Sequence, residues 1–185
     1  PPQPPTHGTP GPRQLRAGDI LSVDIAVKKK GYHGDMNVSF AAGPVSEEAT
    51  RLMGTTREAM DIGLQASVAG ARLGDVGHVI QRRVEVEGFS VVRDYCGHGI
   101  GKVFHEDPQV LHYGRKGTGL VLEPGMTFTI EPMINLGGYE VITSRLDGWT
   151  VTTKDRSLSA QWEHTILVTE NGYEILTLRE EEKNS

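Results

Sequence analysis

Three stretches of this chain alternate apolar and polar residues, and each sets one carboxylate on its polar side. In "DILSVDIAVKK", Leu21, Val23, Ile25 and Val27 face one way while Ser22, Asp24 and Ala26 face the other. In "GMTFTIEPM", Met126, Phe128 and Ile130 oppose Thr127, Thr129 and Glu131. In "SAQWEHTILVT", Trp162, His164 and Ile166 oppose Gln161, Glu163 and Thr165. A period of two marks a strand with one face buried, so the chain must build a sheet with an apolar face and an acid-bearing face. A fourth strand, "YHGDMNVSFAAG", places Asp35 after Gly34, and "GYEILTL" supplies a last strand.

Between these strands the period changes. "SEEATRLMGTTREAMDIGLQASVAG" reads as a helix capped by Ser46, with Glu47 and Glu48 in its first turn and Gly70 as its stop. Leu52, Thr56, Ala59, Met60, Leu64 and Val68 form its buried stripe. A second helix takes Asp75 as cap, Val76, Ile80 and Val84 as stripe and Gly88 as stop. Helices mixed with strands of this kind predict an α+β fold. Six of the ten prolines lie in "PPQPPTHGTPGP", which predicts an extended lead-in over residues 1–14 and a single folded domain over 15–185.

The chain of 185 residues is long enough for one well-packed core. A formal charge of -5, with one short basic run at Lys28 to Lys30, argues against nucleic-acid binding. The lone Cys96 forbids an internal disulfide and suits a reducing cytoplasm. No apolar run reaches membrane-spanning length.

A lone acid on a strand is ordinarily a solvated residue. Here long aliphatic or aromatic neighbours flank Asp24, Glu131 and Glu163, which predicts that these acids are buried or nearly so. A buried carboxylate must be paired or bind a cation. No Lys or Arg lies in the strands of Glu131 and Glu163. Oxygen donors with one or two imidazoles suit a divalent first-row metal, and the charges of Asp24, Asp35, Glu131 and Glu163 balance two such ions. The imidazoles come from "DYCGHGIGKVFHEDPQVLHY", where Gly97 and Gly99 flank His98 and permit a tight backbone approach to an ion. A phosphate-binding loop fails on spacing, since Cys96 and Val103 stand where glycine and a hydroxyl residue are required. A Cys96–His98 nucleophilic pair is the remaining catalytic option, and His112, between Leu111 and Tyr113, reads as structural.

These stretches, with "HGTP" at His7, "GYHGD" ending at Asp35, "DGWTV" at Trp149 and "DRSLSAQWEHTILVT", resemble the type I methionine aminopeptidases of the pita-bread metallopeptidase family. The similarity runs from His7 to Leu178. It implies a curved antiparallel sheet that holds the metals, with helices on its outer face. It implies removal of the initiator methionine from nascent polypeptides, with two divalent ions (Co, Mn or Fe, with Zn as a further option). Carried over residue by residue, it makes Asp24, Asp35, His98, Glu131 and Glu163 the metal ligands. Asp35 and Glu163 would bridge both ions, Asp24 would bind one, and His98 and Glu131 the other. Glu131 becomes the proton shuttle, and His105 and His7 the substrate-side histidines. Phe104 and Trp149 become walls of the methionine pocket. Nascent chain ends and the ribosome are the implied partners of a monomeric, cytoplasmic enzyme. Only "PPQPPT" precedes His7, where the family has a further segment, so the expectation is either a chain shortened at its N-terminus or one that lacks that segment. A binding protein on the same fold and a prolidase-like dipeptidase are the competing readings.

Overall fold

The computed structural model describes residues 8, 11–12 and 14–183. His7 and most of the proline-rich lead-in lie outside the described residues. Strands β1 (Ile20–Lys29) and β2 (Tyr32–Ala41) form a hairpin paired along its whole length. Helices α1 (Glu47–Ala66) and α2 (Leu73–Val86) follow. Ten further strands follow: β3 (Ser90–Val91), β4 (Gly97–Gly99), β5 (Glu106–Val110), β6 (Thr127–Ile130), β7 (Met133–Asn135), β8 (Val141–Thr143), β9 (Val151–Thr153), β10 (Ser159–Gln161), β11 (Glu163–Thr169) and β12 (Gly172–Ile175), with a 3-10 turn at Glu180–Glu182 after them.

The main sheet runs β1-β2-β11-β6-β4-β5, with β12 beside the far end of β11, and every pairing is antiparallel. A smaller sheet has the order β10-β7-β3, and β8 with β9 forms a separate hairpin. The expected single strands at 126–133 and 159–169 are each broken in two. The break is a bend within one ladder. Ser159 faces Asn135 and Gln161 faces Met133 on one side of it; His164 faces Ile130 on the other. The same register sets Pro132 against Trp162 and Glu131 against Glu163 at the bend itself. Pro132 has no N–H to give the ladder, which is why pairing stops there.

Ser46 caps α1 as its sequence indicates, its Oγ accepting the Ala49 N–H at 3.1 Å. The helix ends at Ala66 rather than near Gly70. The Ser67 hydroxyl bonds back to the Gly63 carbonyl (2.7 Å), and its N–H turns to the Leu64 carbonyl (3.0 Å). Val68 therefore leaves the stripe and is 36% exposed. In α2 the cap is Arg72, not Asp75. Asp75 sits one turn in and accepts the Arg72 N–H at 3.1 Å, as the acid of a capping box does.

Leu52, Ala59, Met60 and Leu64 of α1 and Val76, Ile80 and Val84 of α2 are buried in one core with Phe128, Ile130, Ile166 and Val168 of the main sheet. Side chains of this size each contribute about 1.5–3 kcal/mol on burial. The helices thus cover the apolar face of the curled sheet. The acid-bearing face is left on the inside of the curl. No helix among the described residues is long and apolar enough to cross a membrane.

Candidate metal centre

Strand register alone brings the acids together. Asn37 of β2 faces Asp24 of β1 on one side and Glu163 of β11 on the other. With Glu131 opposite Glu163, the residues Asp24, Asn37, Glu163 and Glu131 form one row across the strands. The next row is Asp35, Thr165, Thr129 and His98. The Asp35 N–H donates to Thr165 Oγ1 (3.0 Å), and that hydroxyl donates to the Asp35 carbonyl (2.8 Å). Thr165 faces Thr129, whose Oγ1 accepts the His98 N–H at 3.0 Å. Alternate residues of a strand share a face, so all five candidate ligands project from one side of the sheet.

One ligand atom from each of Asp35, His98 and Glu163 lies within 4.8 Å of the others. His98 Nε2 is 3.8 Å from Asp35 Oδ2 and 3.7 Å from Glu131 Oε1. These gaps are too long for hydrogen bonds and suit donors ranged around a shared centre. His98 Nδ1–H donates to the Gly99 carbonyl at 3.0 Å, so Nε2 keeps its lone pair toward the carboxylates. Burial holds the His98 pKa below its ordinary value, which keeps the ring neutral.

The carboxylates are driven the other way. Burial, and then the neighbouring Asp24 charge, pushes Asp35 up to about 7. Burial pushes Glu131 up to about 8, against a lowering bond from Thr129, with Asp35 and Asp24 adding to the rise. Glu163 is raised well above the carboxylate range by burial and then by Glu131, Asp35 and Asp24. Glu131 Oε1 accepts the Thr129 hydroxyl at 2.7 Å, and Oε2 lies 3.5 Å from the Gln161 amide. Its backbone N–H donates to Nε2 of buried His112 (3.0 Å), whose pKa burial lowers to about 3. Asp35 Oδ1 and Glu163 Oε1 are buried with no hydrogen-bond partner among the described residues. No Lys or Arg among the described residues is ion-paired to Asp35, Glu131 or Glu163. A neutral imidazole, acids that repel one another and two orphaned buried oxygens fit divalent cations, which would reverse the carboxylate shifts.

Other expectations fare differently. Asp24 is exposed, not buried, because β1 is the edge strand of the main sheet and no described strand covers its outer side. Its carboxyl still adjoins that of Asp35. Gly97 and Gly99 serve packing between strands rather than an approach to an ion. A Cβ on Gly97 would lie 2.4 Å from the Thr129 carbonyl oxygen, and one on Gly99 2.1 Å from that of Asp107. The His105 ring is exposed and 4.3 Å from that of His98, while half-buried Phe104 lies 5.7 Å from His98. Trp149 is 53% exposed in the turn between β8 and β9. His112 is structural, as its neighbours imply, but what it holds is the Glu131 backbone. Burial and the Glu131 charge raise the Cys96 pKa, the opposite of an activated nucleophile. Asn37, Gln161 and His33 were not foreseen. Asn37 and His33 lie two residues either side of Asp35, and parity along β2 would have put both on its face.

A curled antiparallel sheet with helices outside and a carboxylate–imidazole cluster inside defines a class, the pita-bread metallopeptidases. The model of metallopeptidase family M24 matches residues 5–170, and the chain belongs to that family. It is 53% identical to a methionine aminopeptidase of Rickettsia prowazekii over 93% of this chain and 66% of that protein. It is 54% identical to a methionine aminopeptidase of Escherichia coli K12 over 95% of this chain and 67% of that protein. The chain thus spans about two thirds of the length of these curated relatives. The crystal structure of the Rickettsia protein superposes with a TM-score of 0.92 over 93% of this chain and 69% of that one. The methionine aminopeptidase of Thermotoga maritima, 46% identical, superposes with a TM-score of 0.93 over 96% of this chain and 72% of that one.

Proposed function

We propose that residues 15–185 form the catalytic domain of a metal-dependent aminopeptidase that removes the initiator methionine from nascent polypeptides. What carries this reading is the convergence of Asp35, His98 and Glu163 within 4.8 Å, with Glu131 beside them, on the fold of relatives named methionine aminopeptidase. Asp24, Asp35, His98, Glu131 and Glu163 hold two divalent ions, of Co, Mn, Fe or Zn. Asp35 and Glu163 each bring a buried oxygen with no hydrogen-bond partner among the described residues, which such ions would take up. Such ions lower the pKa of a water and polarise a peptide carbonyl. Glu131, ionised once cations reverse its shift, would take a proton from the attacking water and return it to the departing amine. Exposed His105, beside His98, faces the peptide and donates to the developing oxyanion. Phe104 forms one wall of the methionine pocket. By resemblance, Trp149 forms another and His7 contacts the substrate. The ribosome is the proposed partner, and the single cysteine fits the cytoplasm.

Turnover of a Met-Ala-Ser peptide and of an Xaa-Pro dipeptide, each with metal-loaded and metal-stripped protein, tests this. The expected result is metal-dependent release of methionine from the tripeptide alone. Cleavage of the dipeptide alone would point to the dipeptidase, and binding of either without turnover would point to the inactive relative.

A further inference from the structure

His33 lies two residues before Asp35 on β2, on the face that carries the acids, yet none of the roles assigned above uses it. Its backbone N–H donates to the Gly101 carbonyl at 2.8 Å, and its ring Nδ1 lies 3.0 Å from the same oxygen. A carbonyl only accepts, so Nδ1 carries the proton and the imidazole is fixed in one tautomer. The far side of the same turn is held by the Thr127 hydroxyl on the Ile100 carbonyl. From these two anchors the chain runs out through Lys102 and Val103 to Phe104 and His105 before re-entering the sheet as β5. The His33 ring also contacts the Phe104 ring, 5.6 Å between centroids, so Phe104 is wedged between His33 and the histidines His98 and His105.

We propose that His33 is a positioning residue for the peptide-binding wall. It clamps the Gly101 carbonyl through Nδ1–H and seats Phe104, thereby setting where Phe104 and His105 stand relative to His98. Gly101 can take up other backbone conformations readily, so with only the His33 backbone N–H left on its carbonyl the 101–105 segment holds its register on the centre less firmly. The proposal rests on the aminopeptidase reading for its effect on catalysis, but not for its effect on the loop.

The test compares His33→Asn, His33→Gln and His33→Phe. An Asn amide reaches the position of Nδ1 and keeps the donor. Gln places its amide near Nε2 instead, and Phe keeps the ring but no donor. Two readouts are needed: hydrogen exchange over residues 100–106, and kinetics on Met-Ala-Ser with metal content measured alongside. His33→Gln and His33→Phe should exchange faster over 100–106 and lower kcat/KM about 5–10-fold, the scale of one lost hydrogen bond, with both ions retained. His33→Asn should restore both readouts. If Asn behaves like Gln, or if Gln matches wild type in exchange, the clamp is not what holds the loop. Should His33→Phe fail to fold, the Asn–Gln comparison carries the same decision. A wild-type protein with no turnover would sink the aminopeptidase reading, and hydrogen exchange alone would then decide the role of His33.

Discussion

Glu131 and Glu163 face one another across a ladder, where like charges ordinarily weaken a sheet. Their neighbours relieve the repulsion only in part: Thr129 donates to Glu131, while one oxygen of Glu163 has no donor among the described residues. A pair held this way is tolerated for what it binds. Glu131→Gln keeps an oxygen for the metal but removes the group that carries the proton. Activity should fall about 10²–10⁴-fold, the usual scale for losing a general acid–base. Metal analysis beside single-turnover kinetics checks it, and near-normal turnover in the loaded variant would exclude the shuttle role. The two neighbouring imidazoles should separate cleanly. His98→Ala should lose metal. His105→Ala should keep it and lose about 2.7–4 kcal/mol of transition-state stabilisation in kcat/KM, as an oxyanion donor does. Metal loss from His105→Ala, or full occupancy in His98→Ala, would reverse those assignments.

The bent ladder of β6–β7 and β10–β11 makes a sharper prediction at the level of elements. A single residue inserted between His164 and Thr165 shifts β11 by one place and turns Thr165 onward to the wrong face. Metal binding should be lost, as read by titration calorimetry. An insertion beside fully exposed Leu146, in the turn between β8 and β9, leaves the ladder register intact and should leave metal stoichiometry unchanged. The same register explains what could be read from sequence and what could not. The faces of the strands were legible because the acids keep one parity along each strand, through Glu131 before Pro132 and Glu163 after Trp162. For that very reason the bend was invisible, since it changes direction but not parity. Ser46 was legible as a cap, whereas Asp75 was misplaced because an acid at the cap and an acid one turn in look alike in sequence. The exposure of Asp24 depends on β1 being an edge strand. That is a property of sheet order, which no local pattern contains.

For the whole molecule, the raised carboxylates tie stability to pH and to metal. Asp35 at about 7 and Glu131 at about 8 bind protons more tightly in the fold than in the open chain, where carboxylates titrate near 4. Their contribution is therefore complete below about pH 4 and is lost as pH rises through 7 to 8. In chelator, the melting temperature should drop between pH 5 and pH 8. Adding Mn should flatten or reverse that slope, and each hundredfold excess over Kd adds about 2.7 kcal/mol. Identical melts with and without metal at pH 8 would count against the centre. The ladder between β2 and β11 has a further consequence. It is only two residue pairs long, Asn37 with Glu163 and Met36 with His164. Asp24 and Asp35 belong to the β1–β2 hairpin, Glu131 and Glu163 to the ladder of β6 with β11. An ion shared by Asp35 and Glu163 would be a cross-link between distant parts of the chain, acting as a disulfide does by closing a long loop and depriving the unfolded ensemble of entropy. Removing it should open that seam first: amides at 36–38 and 163–165 should lose exchange protection while those of α1 and α2 keep theirs.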